Sequence, residues 1–79
     1  MKAKRLGKFR ITREMIEKYP KHVQRIQGMC VIYRAEYLMY RDEVEYVATS
    51  DHFDILPHGY EAPMYEWTID GADIILTKE

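Results

Sequence analysis

The stretch that decides the fold is Met29–Arg41, MCVIYRAEYLMYR. Its odd-numbered positions, Met29, Val31, Tyr33, Ala35, Tyr37 and Met39, are all apolar or aromatic. The even positions mix Cys30, Ile32, Leu38 and Tyr40 with Arg34 and Glu36. A period of two with many β-branched and aromatic residues predicts a long strand. Arg34–Glu43 taken alone also suits a helix. Arg41, Asp42 and Glu43 turn the chain, and Val44, Tyr46 and Ala48 alternate with Glu43, Glu45 and Thr49 to give a second strand.

Downstream, Ser50–Leu56 is a short segment with Ser50 or Asp51 as a cap, and it must end before Pro57. Tyr65, Trp67 and Ile69 then face one way along a third strand. Asp70-Gly71 is the strongest local signal, a hairpin turn leading into Ala72–Thr77. Upstream, Thr12 is an N-cap with Glu14 in the first turn. Met15, Ile16, Tyr19, Val23 and Ile26 recur at helical spacing. Pro20 either kinks that helix or splits it in two, and Gly28 stops it. Residues 1–10 are basic and read as an arm or an edge strand whose charges discourage pairing. The expected architecture is a single α+β domain over 1–79: a basic arm at 1–10 and a helical segment at 12–27, packed on a three- to four-stranded, mainly antiparallel meander at 29–77.

At 79 residues, 47% apolar and 32% charged, the chain is long enough for one core and excludes a multidomain enzyme or a repeat array. A domain of this size has modest stability, and self-association as a homodimer through an apolar face is its natural support. Cys30 is the single cysteine, so no disulfide framework exists, and a buried thiol in a reducing, cytoplasmic setting is the expectation. Lys8 and Arg10 interrupt the apolar run a secretory leader needs, and the longest apolar stretch, Met29–Tyr33, is too short to span a bilayer.

The formal net charge of -1 hides a division. Met1–Arg25 carries nine basic residues against Glu14 and Glu17, whereas Ile26–Glu79 carries three basic against eleven acidic residues. Such asymmetry points to a binding surface or to pairing of the two halves with each other. Lys2, Lys4, Arg5, Lys8, Arg10 and Arg13 are the candidate contacts for nucleic acid or another polyanion. An acidic protein surface and a plainly solvated helix face are the other readings.

Seven tyrosines and Trp67 are the other unusual feature. Tyr33, Tyr37, Tyr46, Tyr65 and Trp67 fall on one face if the strands pair as read. That face is a helix-covered core, a base-stacking platform or a protein interface. Glu36, Glu43, Glu45, Glu66, Asp70 and Asp73 on the same strands would repel a phosphate backbone, which disfavours base stacking. Tyr40, Tyr60 and Trp67 are the candidate exposed anchors for a protein partner. A carboxylate face imitating a polyanion is a further reading, against which the basic first third counts.

Asp51, His52, Asp54 and His58, with Glu61 nearby, are residue types that bind metals, but the chain has no paired His motif, and solvated loop residues are the reading preferred. Ser50 with its sequence neighbours Asp51 and His52 has no triad spacing, and Cys30 has no adjacent base. The four glycines fit neither a dinucleotide fingerprint nor a P-loop. No catalytic residue, metal ligand or cofactor is therefore assigned, and the chain is expected not to be an enzyme. The run Tyr46, Ala48, Ser50, Phe53, Asp54, Gly59, Pro63, Tyr65, with the small size and basic start, resembles small uncharacterised proteins encoded by tailed phages and prophages. That resemblance implies an accessory protein, a regulator or inhibitor of a larger partner that acts by binding.

Overall fold

The computed structural model describes residues 5–57 and 59–79. Five strands and two short helices follow one another as β1 (Leu6–Thr12), α1 (Arg13–Lys18), α2 (Pro20–Gly28), β2 (Val31–Leu38), β3 (Glu43–Thr49), β4 (Met64–Asp70) and β5 (Asp73–Lys78). They form one mixed sheet in the order β2-β3-β1-β4-β5. All pairings are antiparallel except β1 with β4, which run parallel. The expected α+β class is what the chain adopts, with one strand more than the meander alone supplies.

The extra strand is the main correction. Leu6–Thr12 is neither an arm nor an edge but the middle of the sheet. Its alternation puts Gly7, Phe9 and Ile11 under the helices and leaves Lys8 and Arg10 half-buried on the opposite, open face. A sheet covered on one side only accepts charge on the other, so basic residues do not bar a strand from the centre.

Thr12 ends β1 and begins α1, its Oγ1 accepting a hydrogen bond from the Met15 N–H at 3.1 Å. Thr12→Ala is expected to cost about 1 kcal/mol in urea unfolding, the usual value of an N-cap. Pro20 takes the first position of α2, where its missing N–H costs nothing, and so splits the expected helix in two. That break also splits the apolar stripe: Val23 and Ile26 are buried, whereas Ile16 and Tyr19 stay exposed. The first two turns of α2 are tied to the last hairpin, because His22 Nε2 and Arg25 Nη1 donate to the carbonyls of Gly71 and Ala72.

Asp70 is the final paired residue of β4, opposite Asp73, so the two-residue loop is Gly71-Ala72 rather than Asp70-Gly71. Gly71 carries the positive φ of 62° that the first loop position demands, as in the type II′ class. Residues 50–63 form no helix among the described residues. They cross the end of the sheet beside the start of β1, held by Ser50 N–H to Arg5 O, Arg5 Nη1 to Phe53 O, and Lys8 N–H to Pro63 O. Ser50 caps no helix but shapes a turn, its Oγ accepting from the His52 N–H.

The core is a cluster of rings. Phe9 is fully buried and stacks on Tyr46 at 5.1 Å between centroids, with Trp67 edge-on at 5.9 Å. Phe53 drops in from the crossing segment and stacks on Tyr65 at 4.5 Å. Gly7 makes room for both, since a Cβ at that position would lie 2.8 Å from the Tyr65 ring and 2.9 Å from that of Phe53. Val23, Ile26, Ile11 and Ala48 close the cluster.

Candidate interaction surface

The helices cover the middle of this sheet and stop short of β2. Every residue from Val31 to Tyr37 is exposed, and beyond the strand Met39 and Tyr40 are 80% and 83% accessible. Among the described residues β2 pairs with β3 alone, so its other edge presents backbone N–H and C=O groups without a strand beside them. The register with β3 slips between Ile32 and Arg34, a bulge that takes Tyr33 out of the alternation. From Arg34 to Leu38 the strand is regular.

Two recesses flank the strand. A groove of about 520 Å³ at its start is lined by Met29, Cys30, Val31, Tyr33, Ser50 and Asp51 among others. Burial pushes the Cys30 thiol up, opposed by a hydrogen bond with Ser50, so its thiolate is not favoured. A notch of about 270 Å³ on the helix side lies between Ile11, Ile16, Tyr37 and Val44, with Arg13 and Asp42 at its rim.

That rim is an ordered polar knot. Arg13 Nε donates to both carboxylate oxygens of Asp42, at 2.8 and 3.0 Å, and the Tyr37 hydroxyl donates to the same carboxylate. The hydroxyl of Tyr37 and then the guanidinium of Arg13 hold the Asp42 carboxyl below the usual range. Asp42 also has a positive φ of 52°, which Asp and Asn tolerate better than other side chains. A depressed folded-state pKa gives stability that is present above the ordinary carboxyl range and lost as pH falls through the folded value. Asp42→Asn, which keeps the turn, is therefore expected to melt below the wild type at neutral pH. The difference should close on acidification, as thermal melts at stepped pH would show.

On the open face the charges of the two halves meet. Lys8 pairs with Glu61 at 3.0 Å, and Arg10 with Glu45 at 3.3 Å. Glu36 lies directly across from Glu45, an unfavourable pair that Arg34 and Arg10 each offset, Arg34 lying 2.8 Å from Glu36. Of the six candidate polyanion contacts, Lys2 and Lys4 lie outside the described residues. The other four are all engaged within the chain: Arg5 on the Phe53 carbonyl, Lys8 on Glu61, Arg10 on Glu45 and Arg13 on Asp42.

Of the three expected anchors, Tyr40 and Tyr60 are exposed, Tyr60 at 70%. Trp67 is not. It stands on the helix-covered face of a strand flanked on both sides, 6% accessible and packed on Phe9, and so belongs to the core. Tyr46 and Tyr65 share that fate, whereas Tyr37 points to the same face but stays half exposed at the edge of α1. The exposure of Val31, Tyr33 and Met39 is what sequence reasoning missed, because an apolar strand reads as buried until its place in the sheet is known.

Asp54 pairs with Lys78 and Glu61 with Lys8, and His58 lies outside the described residues. Among the described residues no three His, Cys, Asp or Glu side chains gather as a ligand set, and no helix is long and apolar enough to cross a membrane. No family model, curated protein or solved structure matches the chain.

Proposed function

We propose that this chain is a small non-enzymatic protein-binding module that acts in the cytoplasm, a regulator or inhibitor of a larger partner of the kind tailed phages and prophages encode. The observation that carries the reading is the uncovered β2 ribbon, an open strand edge bordered by Val31, Tyr33, Tyr37, Met39 and Tyr40. Exposed apolar and aromatic side chains on both faces of an edge strand suit a docking surface, and tyrosines offer large contact area with a polar tip. Strand edges recruit protein partners through main-chain hydrogen bonds. Self-association of two copies belongs to the same reading, and Tyr60 is a second exposed anchor. The alternative, nucleic acid held by Lys2, Lys4, Arg5, Lys8, Arg10 and Arg13, has less support, since four of these six bond within the chain.

The test is capture by the tagged full chain from an extract of its own cell, in parallel with Met39→Ser/Tyr40→Ser, whose exposed sites spare the fold. One protein bound in stoichiometric amount by the wild type and lost by the variant is the expected result. Undiminished capture by the variant, or none by either, overturns the assignment of this surface. Nuclease-sensitive, salt-dependent retention of nucleic acid moves the function to the basic segment.

A further inference from the structure

The free edge of β2 is chemically palindromic. Reading outward from Ala35 with the bulged Tyr33 left out, the strand places Arg34 against Glu36 in mirrored positions, then Ile32 against Tyr37 and Val31 against Leu38. A strand that reads the same in both directions by polarity, but with opposite charges at its centre, is complementary to an antiparallel copy of itself. We propose that a second copy of this chain docks along β2, antiparallel about a two-fold axis at Ala35, making one continuous sheet across both copies. The proposal rests on β2 being a docking surface and names what pairs with its edge.

Three observations carry it. Arg34 and Glu36 both point to the open face, opposite Val47 and Glu45, so in this register each meets the other's counterpart across the axis and two new ion pairs form. Ala35 at the axis has the smallest side chain of the strand, which lets two copies approach on the helix side. Beyond the Tyr33 bulge, continuous alternation sets Tyr37 opposite Ile32 of the partner subunit and Leu38 opposite the partner subunit's Val31, apolar on apolar throughout.

The register is also the only symmetric one nearby that the charges accept. A two-residue slip either way sets Arg34 on itself or Glu36 on itself, and like charges directly opposite are unfavourable. A two-fold axis perpendicular to the sheet keeps the helices of both copies on the same face and leaves Met39 and Tyr40 beyond the pairing, free for a different protein. The far edge, β5, has no such match. Asp73 and Lys78, its opposite charges, are separated by an odd number of positions, so no symmetric antiparallel register brings them face to face.

A bulge and edge charges are also devices that keep strands apart, and in that case the chain is a monomer. An edge so guarded has no use for the exposed Val31, Tyr33 and Tyr37 beside it.

The test is sedimentation velocity on the purified full chain and on Arg34→Glu and Glu36→Arg, all at exposed positions, with circular dichroism melts to confirm folding. The wild type is expected at twice the 9.5 kDa chain mass. Each single variant, which sets like charges together on both sides of the axis, is expected at the monomer mass. An equimolar mixture of the two variants should return to the dimer, since the two carboxylates of one then meet the two guanidinium groups of the other. The chain carrying both exchanges should dimerise by itself. A wild type that stays monomeric up to millimolar concentration overturns the inference, as do single variants that remain dimeric or a mixture that fails to recombine. A monomeric wild type that still captures a partner through Met39 and Tyr40 would leave the binding-module reading standing, so the two failures are told apart.

Discussion

Phe9→Ala is expected to leave the domain only marginally folded at room temperature. Phe9 is the hub of the core, fully buried and in ring contact with Tyr46, Trp67 and Phe53. Truncating a buried Phe to Ala typically costs about 3–5 kcal/mol, through lost transfer energy and the cavity left behind. A domain of this length sits near the lower end of the usual stability range, about 5 kcal/mol, so the loss consumes most of what holds it folded. The cavity cannot collapse easily, because two of its walls, Tyr46 and Trp67, stand on β3 and β4, strands held by ladders on both sides. A thermal transition lowered by tens of degrees in circular dichroism is the expected reading. A variant that still melts within a few degrees of the wild type would show that the rings close over the gap.

Gly7→Ala is expected to destabilise by about 1–3 kcal/mol, the range for an overpacked core. This sign is opposite to the usual one, since replacing Gly by Ala where the backbone allows it generally stabilises by limiting the unfolded chain. Here the added methyl lies within 3 Å of two buried rings. Neither ring moves freely, as Tyr65 and Phe53 are stacked and the Tyr65 hydroxyl accepts the Asp54 N–H at 2.9 Å. Pairing the change with Phe53→Leu should recover part of the loss in urea titrations, because the smaller side chain vacates one of the two contacts. A double variant whose losses simply add would place the strain elsewhere in β1.

Phe9 and Gly7 belong to the part of the molecule the sequence disclosed least. The strands at β2, β3 and β4 to β5, the Thr12 cap and the break at Pro20 could all be read locally, from a period of two, a hydroxyl before a helix and a missing N–H. β1 shows the same period in LGKFRIT, but its cations suggested a rim, and its partners lie far along the chain at Tyr46 and Tyr65. Non-local pairing leaves no mark in the strand that undergoes it. For the same reason the surface was half legible. Tyr40 and Tyr60 stand beside turn residues and read as exposed, whereas the availability of β2 and the burial of Trp67 depend on strand order alone.

The division of charge has a local meaning too. Lys8 with Glu61, Arg10 with Glu45 and Arg13 with Asp42 each join the basic first third to the acidic remainder, so part of the asymmetry is settled inside one chain. Exposed pairs of this kind contribute little energy individually. Their more useful role is to favour the correct neighbours for β1.

The central position of β1 bears on how the chain comes to be folded. The strand is synthesised before both of its partners: its two hydrogen-bonding edges are claimed by β3 and β4, and the second of these follows it only after two helices and two further strands. Closing such distant pairs is slow compared with forming a hairpin. Until β4 arrives β1 keeps one open edge, while α1 and α2, which follow it directly in the chain, cover its apolar face. The second side of the middle strand is therefore filled late, and a nascent chain halted before Met64 holds β1 with one edge unclaimed.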